Sequence, residues 1–259
     1  MTQSDPRGMH DWHSPTYVQE WIGGYTSDER KRSLRRIPYL VPFDPGERIR
    51  VLDVGGGWGP VTTEVLEVFP NAEVVLHDFS EPMLREAASR LARFGDAVRY
   101  VRGDLLSAEW KDEIVGQFNA VVSSLAIHNV RFPDRIRAIY GEIFSLVAPG
   151  GCFINLDQVA TGSLAANASR HAQQMERRQH LYDETGQWAT LEEIGEQGGH
   201  GRPAHATAQP DPETLRRIAA AEPATLANQL RWLREVGFDD VDCFGRERTS
   251  ALIGAFRAP

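Results

Sequence analysis

The sequence predicts an α/β fold in which a doubly wound, mainly parallel sheet carries helices on both faces. Between residues 49 and 157, short runs rich in β-branched residues alternate with stretches of helical periodicity. Strands separated by helices of this length pair in parallel, because each helix returns the chain to the end of the sheet where the previous strand began. A chain of 259 residues is long enough to bury the core of such a sheet as one domain.

Each predicted element has a local reason. The first helix begins at Pro60, where a missing amide hydrogen costs nothing, and the second follows Ser80, which can cap a helix N-terminus. The third has Ile136, Ile139 and Ile143 at the spacing of one buried face. The strands are predicted at 49–54, 72–78, 97–104, 118–126 and 150–159, and the helices at 60–69, 81–94 and 133–147.

The pattern changes after Val159. Residues 160–222 are polar and interrupted by glycine and proline, and they include one amphipathic helical stretch at 164–184. A helix at 224–238 and two strands joined by a short turn follow, so those strands should pair antiparallel. We expect the polar segment to be a helical lid that helps to bind an acceptor. The single domain then divides into an N-terminal helical cap, a ligand-binding core, a lid insertion and a closing helix with two strands, at 1–45, 46–159, 160–222 and 223–259.

Composition narrows the classes of function. The net charge of −8 argues against nucleic acid as a partner, since phosphate contacts need clustered basic residues. No apolar run approaches the roughly 20 residues that span a bilayer, and the first residues lack the layout of a signal peptide. The two cysteines offer neither a disulfide framework nor metal-ligand spacing. The sequence therefore predicts a cytoplasmic protein with no metal, which could form a homodimer.

The glycine turn after the first strand is the main candidate binding element. A strand, a glycine turn and a helix N-terminus together offer free amide groups and a positive dipole end. The dinucleotide fingerprint requires a third glycine where this chain has Pro60, and the phosphate-binding lysine of a P-loop is missing. The turn is therefore suited to a ligand other than a pyrophosphate. Asp78 and Asp104 end the second and third strands, so their side chains should converge on the same crevice.

In this order the motifs resemble those of the class I S-adenosylmethionine (SAM)-dependent methyltransferases. The similar stretches are VLDVGGGWG, VVLHDFSEPML, VRYVRGDL, FNAVVSSLAIHNV and LVAPGGCFINLDQV, with LRWLREVGFDDVDCF and SALIGAFRA near the end. The resemblance implies a Rossmann-like sheet of seven strands in the order 3-2-1-4-5-7-6, with strand 7 antiparallel. It also implies SAM as cofactor and a small-molecule acceptor.

The resemblance further implies where SAM would bind. Asp78 would bind the ribose, and Asp53 would lie near the methionine amino group. The backbone would approach the cofactor at Gly55, Gly57 and Gly59. The remaining candidates are Phe79, Met83, Asp104 and Leu105 around the adenine, Ser124 near the methionine portion, and Tyr25 and Arg36 near the methionine carboxylate.

His128 is the candidate catalytic residue. In the family's geometry it would follow the fourth strand near the transferable methyl group, and histidine suits a general base because its pKa lies near neutrality. The competing interpretation is a histidine that only hydrogen-bonds within its loop. Asn129 beside it is a weaker polar candidate.

Three other functions compete. One is a SAM- or carboxy-SAM-using enzyme of tRNA wobble-uridine modification, for which Arg216 or Arg217 would have to bind the extra carboxylate. Another is a SAM-binding protein that catalyses no transfer. An NAD-dependent dehydrogenase is disfavoured by Pro60, at the position of the third glycine.

Overall fold

The computed structural model describes residues 11–23, 28–160, 175–176, 178–180, 182–188, 212–247 and 249–259. Seven strands form one sheet: β1 (Arg50–Val54), β2 (Glu73–Asp78), β3 (Val98–Arg102), β4 (Phe118–Ser124), β5 (Val147–Gln158), β6 (Asp240–Glu247) and β7 (Ser250–Phe256). The α-helices described are α1 (Pro15–Gly23), α2 (Asp28–Arg36), α3 (Pro60–Val68), α4 (Glu81–Arg90), α5 (Pro133–Leu146), α6 (Pro212–Ala220) and α7 (Leu226–Glu235).

The strand order is β3-β2-β1-β4-β5-β7-β6, as predicted. Strands β1 to β5 pair in parallel, and β7 runs antiparallel to both β5 and β6. The order reverses between β1 and β4, so the connections leave the sheet on opposite faces at this point. A crevice opens there at the carboxyl ends of the strands.

Apolar side chains fill both faces of the sheet. One face carries a cluster around Trp110, Phe153 and Trp232, under α5 and α7. The other carries a cluster around Val61 and Phe69, under α2 and α3. The strands at the centre of the sheet are consequently buried on both sides, as their continuous apolar runs require.

Local signals set the helix ends. The hydroxyl of Ser80 accepts from the amide of Met83 at 3.2 Å, which confirms the predicted cap of α4. The Thr225 hydroxyl caps α7 in the same way, so that helix begins at Leu226 and not at residue 224. The predicted helix at 81–94 ends at Arg90, and a short 3₁₀ segment that contains Gly95 at φ 55° follows it.

The chain leaves the sheet after β5 and returns beside the point of departure. The amide of Ala160 donates to the carbonyl of Ala224 at 2.9 Å, and Ala160 forms a β-bridge with Thr225. The chain therefore leaves the sheet for the segment 160–222 and returns from it at the same place, next to β5. Most of that segment, including most of the helix predicted at 164–184, lies outside the described residues, and the division into four parts stays a prediction. Among the helices described, none is long and apolar enough to cross a bilayer.

Candidate active site

The glycine turn between β1 and α3 combines three left-handed residues with close packing. Gly55, Gly57 and Gly59 have φ values of 66°, 55° and 85°, which L side chains rarely adopt. A Cβ on Gly55 would lie 2.3 Å from the Cβ of Ala126, so this position has no room for a side chain. A Cβ on Gly57 would meet only the Met83 sulfur, at 3.8 Å, so Gly57 faces open space.

Gly59 is required by the local packing. A Cβ at this position would meet Leu91 at 2.6 Å, and the residue does not line the cavity described below. Its left-handed backbone precedes the N-terminus of α3, which packs on the segment after α4. The approach of its backbone to a cofactor stays a prediction.

Asp78 ends β2 and is held by backbone amides. One carboxylate oxygen accepts from the Gly57 amide at 2.9 Å and the other from the Ser80 amide at 2.8 Å. The residue is only 7% exposed. A carboxylate offers about four lone-pair sites, so these two hydrogen bonds do not by themselves prevent Asp78 from accepting from ligand hydroxyls.

Asp53 lies fully buried under the glycine turn. One oxygen accepts from the Thr62 hydroxyl at 2.7 Å, and the other has no hydrogen-bond partner among the described residues. The pKa of Asp53 is raised from 3.8 to about 7, mainly by burial and also by the nearby charge of Asp78, against the hydrogen bonds from Thr62, which lower it. A cationic group bound nearby would restore the ionised carboxylate.

A cavity runs along the carboxyl ends of β1, β2, β3 and β4. Of the predicted site residues it is lined by Gly55, Gly57, Asp78, Phe79, Met83, Leu105 and Ser124. The Ser124 hydroxyl is buried without a hydrogen-bond partner in the described part of the chain. The wall also includes residues that were not predicted to bind a cofactor: Trp12, Gly56, Trp58, Pro60, His77, Gly103, Leu125, Ala126 and Val130.

Asn129, the weaker polar candidate, and Trp21 of α1 also line the cavity. Trp21 was not among the predicted cofactor residues. The signal that could have assigned it is the density of tryptophan near the chain start and after the glycine turn, at Trp12, Trp21 and Trp58.

Asp104 and Arg36, like Asp53 and Gly59, do not line the cavity. Asp104 stands between lining residues Gly103 and Leu105, but one of its oxygens accepts from the Leu106 amide at 3.0 Å and thereby caps its own turn. Arg36 donates to the carbonyl of Phe244 in β6, four strands from β1. That position argues against a contact between Arg36 and a methionine carboxylate. Tyr25 lies outside the described residues.

His77 lies directly before Asp78 and is almost completely buried. Its ring packs edge-on against Trp110, with the ring centres 4.9 Å apart. Burial lowers the pKa of His77 to about 4, so the imidazole is neutral at physiological pH.

His128 forms a pair with Asp157, a residue that was not among the predicted site residues. Its Nδ1 lies 2.5 Å from Oδ1 of Asp157, and its amide donates to Oδ2 at 2.9 Å. The His128 side chain is 24% exposed, whereas that of Asp157 is 3% exposed. An ionised carboxylate only accepts hydrogen bonds, so opposite it Nδ1 is the donor, and in a neutral imidazole of that tautomer Nε2 is the proton acceptor. His128 does not line the cavity itself, but Ala126, Asn129 and Val130 of the same turn do.

One of the two arginines considered for a contact with an extra carboxylate makes other interactions. Arg217 donates to Asp134 at 2.8 Å and stacks over the Phe132 ring. The described residues contain no cluster of side chains that could hold a metal ion.

Comparison with known proteins agrees with this geometry. Residues 51–151 match the model of a methyltransferase domain family. A demethylmenaquinone methyltransferase of Thermus thermophilus is 35% identical over 108 residues, which are 42% of this chain and 46% of that protein. The 1,6-didemethyltoxoflavin-N1-methyltransferase of Burkholderia thailandensis shares the fold at a TM-score of 0.54 and 17% identity, over 94% of this chain and 86% of that chain.

Residues 51–151 are similar to a methyltransferase domain, and the seven-stranded fold is that of class I SAM-dependent methyltransferases. SAM is the cofactor of this family. The chain spans about half the length of the curated relatives that it matches: it covers 48% of a trans-aconitate 2-methyltransferase of Methylobacterium radiotolerans, at 31% identity over 146 residues and 55% of this chain.

Proposed function

We propose that the protein transfers the methyl group of SAM to a small-molecule acceptor by direct in-line displacement. The observation that carries the proposal is a single cavity that joins two features. The glycine turn and Asp78 line it together with residues of the turn that carries His128. The relatives named above act, by their names, on small molecules.

The residues around the cavity fit SAM. The Asp78 carboxylate would accept from the ribose hydroxyls, with Phe79, Met83 and Leu105 beside the adenine. In the described part of the chain, one oxygen of Asp53 and the Ser124 hydroxyl have no hydrogen-bond partner, which suits a ligand that brings an ammonium group and further polar atoms to the glycine turn. When bound, SAM supplies a methyl group on a sulfonium, a good leaving group.

His128 would remove the acceptor's proton. Asp157 fixes the ring through Nδ1 and stabilises the imidazolium that forms when Nε2 takes up the proton. An acceptor whose nucleophile is a hydroxyl, a protonated nitrogen or an acidic carbon requires this step. A thiolate or a tertiary amine does not.

The segment 160–222 would form the outer wall of the acceptor site. It leaves the sheet just after Asp157 and returns at Ala224, so its base lies next to the pair formed by Asp157 and His128. A wall beside this pair would exclude water from the site of methyl transfer.

Calorimetry with SAM and S-adenosylhomocysteine tests the cofactor assignment. The wild type should bind both ligands, and Asp78→Ala should bind about tenfold to a hundredfold more weakly, because hydrogen bonds to a charged group are lost. The matched control is Asp112→Ala, an exposed carboxylate outside the cavity. Absence of binding in the wild type would refute the proposal.

A panel of phenols, quinols, amines and carboxylic acids with methyl-labelled SAM then tests transfer. Turnover of one acceptor class would establish an enzyme. A protein that binds SAM tightly but methylates nothing in the panel would contradict the proposed catalysis.

We further propose that the protein acts in the cytoplasm as a homodimer. Both cysteines are free, with Cys152 buried, as expected in a reducing compartment. Cell fractionation and sedimentation velocity measure the two properties.

A further inference from the structure

A third apolar cluster covers the cavity and is separate from the two clusters on the faces of the sheet. It is built by the segment 11–23 against α4 and the glycine turn. Its buried members are Trp12, Tyr17, Val18 and Met83, and the partly buried Trp21, Ile22, Trp58 and Phe79 pack against them. The Trp12 ring meets the rings of Tyr17 and Trp21 edge-on, at centroid distances of 5.3 and 5.1 Å. The cluster therefore holds tryptophan rings in fixed orientations at the cavity wall.

Ser80 connects this cluster to the ribose-binding carboxylate. Its amide donates to Asp78 at 2.8 Å, while its hydroxyl donates to the Trp12 carbonyl at 2.5 Å and accepts from the Met83 amide at 3.2 Å. Ser80 is 1% exposed, so these hydrogen bonds form without competition from water. One residue thus orients Asp78, starts α4 and holds the backbone at Trp12.

The position of the cluster indicates which half of the cavity it serves. Trp12 packs with Met83 and Phe79, which follow β2, and the ring of His13 lies edge-on to Phe79 at 5.3 Å. The residues of the turn after β4, where the acceptor would approach, do not belong to this cluster. The tryptophan rings of this cluster therefore lie at the part of the cavity where the adenosyl group of SAM would bind.

We propose that Trp12 contacts the adenosyl part of the cofactor and that Ser80 is the positioning residue that holds it there. This inference rests on the proposed function, because it takes SAM as the ligand. Ring stacking gives a purine a large apolar contact at a small entropic cost. Cofactor recognition would then extend beyond the motifs at residues 51–151 to a segment that precedes the sheet.

The test compares Trp12→Ala, Trp12→Phe, Ser80→Ala and Ser80→Thr with the wild type. The probes are S-adenosylhomocysteine and 5′-methylthioadenosine, which lacks the amino-acid portion. Trp12→Ala should weaken both ligands by the same factor, about tenfold, and Trp12→Phe by less. Ser80→Ala should weaken both about tenfold, while Ser80→Thr, which keeps a hydroxyl, should restore most of the affinity.

A second measurement separates positioning from a general loss of structure. S-adenosylhomocysteine should slow amide hydrogen exchange in residues 11–23 of the wild type, and Ser80→Ala should lose this protection while β1 and β4 keep theirs. Arg85→Ala, which removes an exposed ion pair with Glu81 on α4, is the control and should match the wild type.

The outcomes distinguish this inference from the proposed function. If the wild type and the Trp12 and Ser80 variants bind equally while Asp78→Ala does not, the inference fails and the cofactor assignment stands. If Trp12→Ala weakens S-adenosylhomocysteine but not 5′-methylthioadenosine, the adenosyl assignment is wrong. If the wild type binds neither ligand, both proposals fail.

Discussion

The buried carboxyl group of Asp53 should make the stability of the apoprotein depend on pH in a way that Asp53→Asn removes. Its pKa is raised from 3.8 to about 7, chiefly by burial. The folded protein therefore holds a proton on Asp53 that the unfolded chain has released between these pH values. Stability contributed by the neutral group is fully present below pH 3.8 and is lost as pH rises through 7.

The magnitude follows from the gap between the two pKa values. Each pH unit corresponds to about 1.4 kcal/mol, so the loss of unfolding free energy reaches about 4 kcal/mol above pH 7. Asparagine has nearly the same shape, can still accept from Thr62 and carries no charge. The variant should therefore equal the wild type near pH 4 and exceed it in stability progressively up to pH 7.

Urea unfolding of the apoprotein at pH 5, 6, 7 and 8 measures this difference. Asp112→Asn, at an exposed position, is the control and should follow the wild-type curve. Parallel curves for Asp53→Asn and the wild type would refute the reasoning, since they would mean that Asp53 ionises in the folded protein at no cost. Saturating SAM should narrow the gap at pH 8, because its ammonium group favours the ionised carboxylate.

Three further predictions concern the same site. Asp157→Asn should lower kcat, whereas the KM for SAM should stay within about twofold, because Asp157 acts through His128; initial-rate kinetics at varied SAM concentration measure both. Burial lowers the pKa of His77 from 6.5 to about 4. The stability contributed by the neutral ring is therefore fully present above pH 6.5 and is lost as pH falls through 4, by about 3 kcal/mol. His77→Phe should lack this loss, which acid unfolding curves measure. Gly55→Ala should lower the unfolding free energy by more than about 2 kcal/mol, because the alanine Cβ would collide with Ala126 in the turn after β4. Gly57→Ala meets no such collision and should lower it by less. Thermal melts of the two variants measure the difference.

The strand order and the glycine turn could be predicted because their signals are local. A turn that needs three left-handed residues must show three glycines within a few positions. Alternating strand and helix patterns likewise leave few topologies for a parallel sheet. The cap at Ser80 followed from the same kind of short-range rule.

The contacts that the sequence did not predict join residues far apart in the chain. Asp157 lies 29 positions after His128, and the hydrogen bond between Ser80 and Trp12 spans 68 positions. Gly59 fits the family pattern, but its contact with Leu91 depends on how the segment after α4 packs. Arg36 was assigned by the resemblance alone, and its bond spans 208 positions. Local patterns carry no information about such pairs.

The glycine turn after β1 and the turn that carries His128 after β4 are in direct contact. The Ser123 hydroxyl donates to the Val54 carbonyl at 2.8 Å, and Ala126 occupies the space that a side chain on Gly55 would need. A displacement of the cofactor turn must therefore move the start of the turn that carries His128. Since in-line displacement tolerates little misalignment between nucleophile and methyl carbon, a larger residue at Ala126 should reduce kcat more than it reduces SAM affinity.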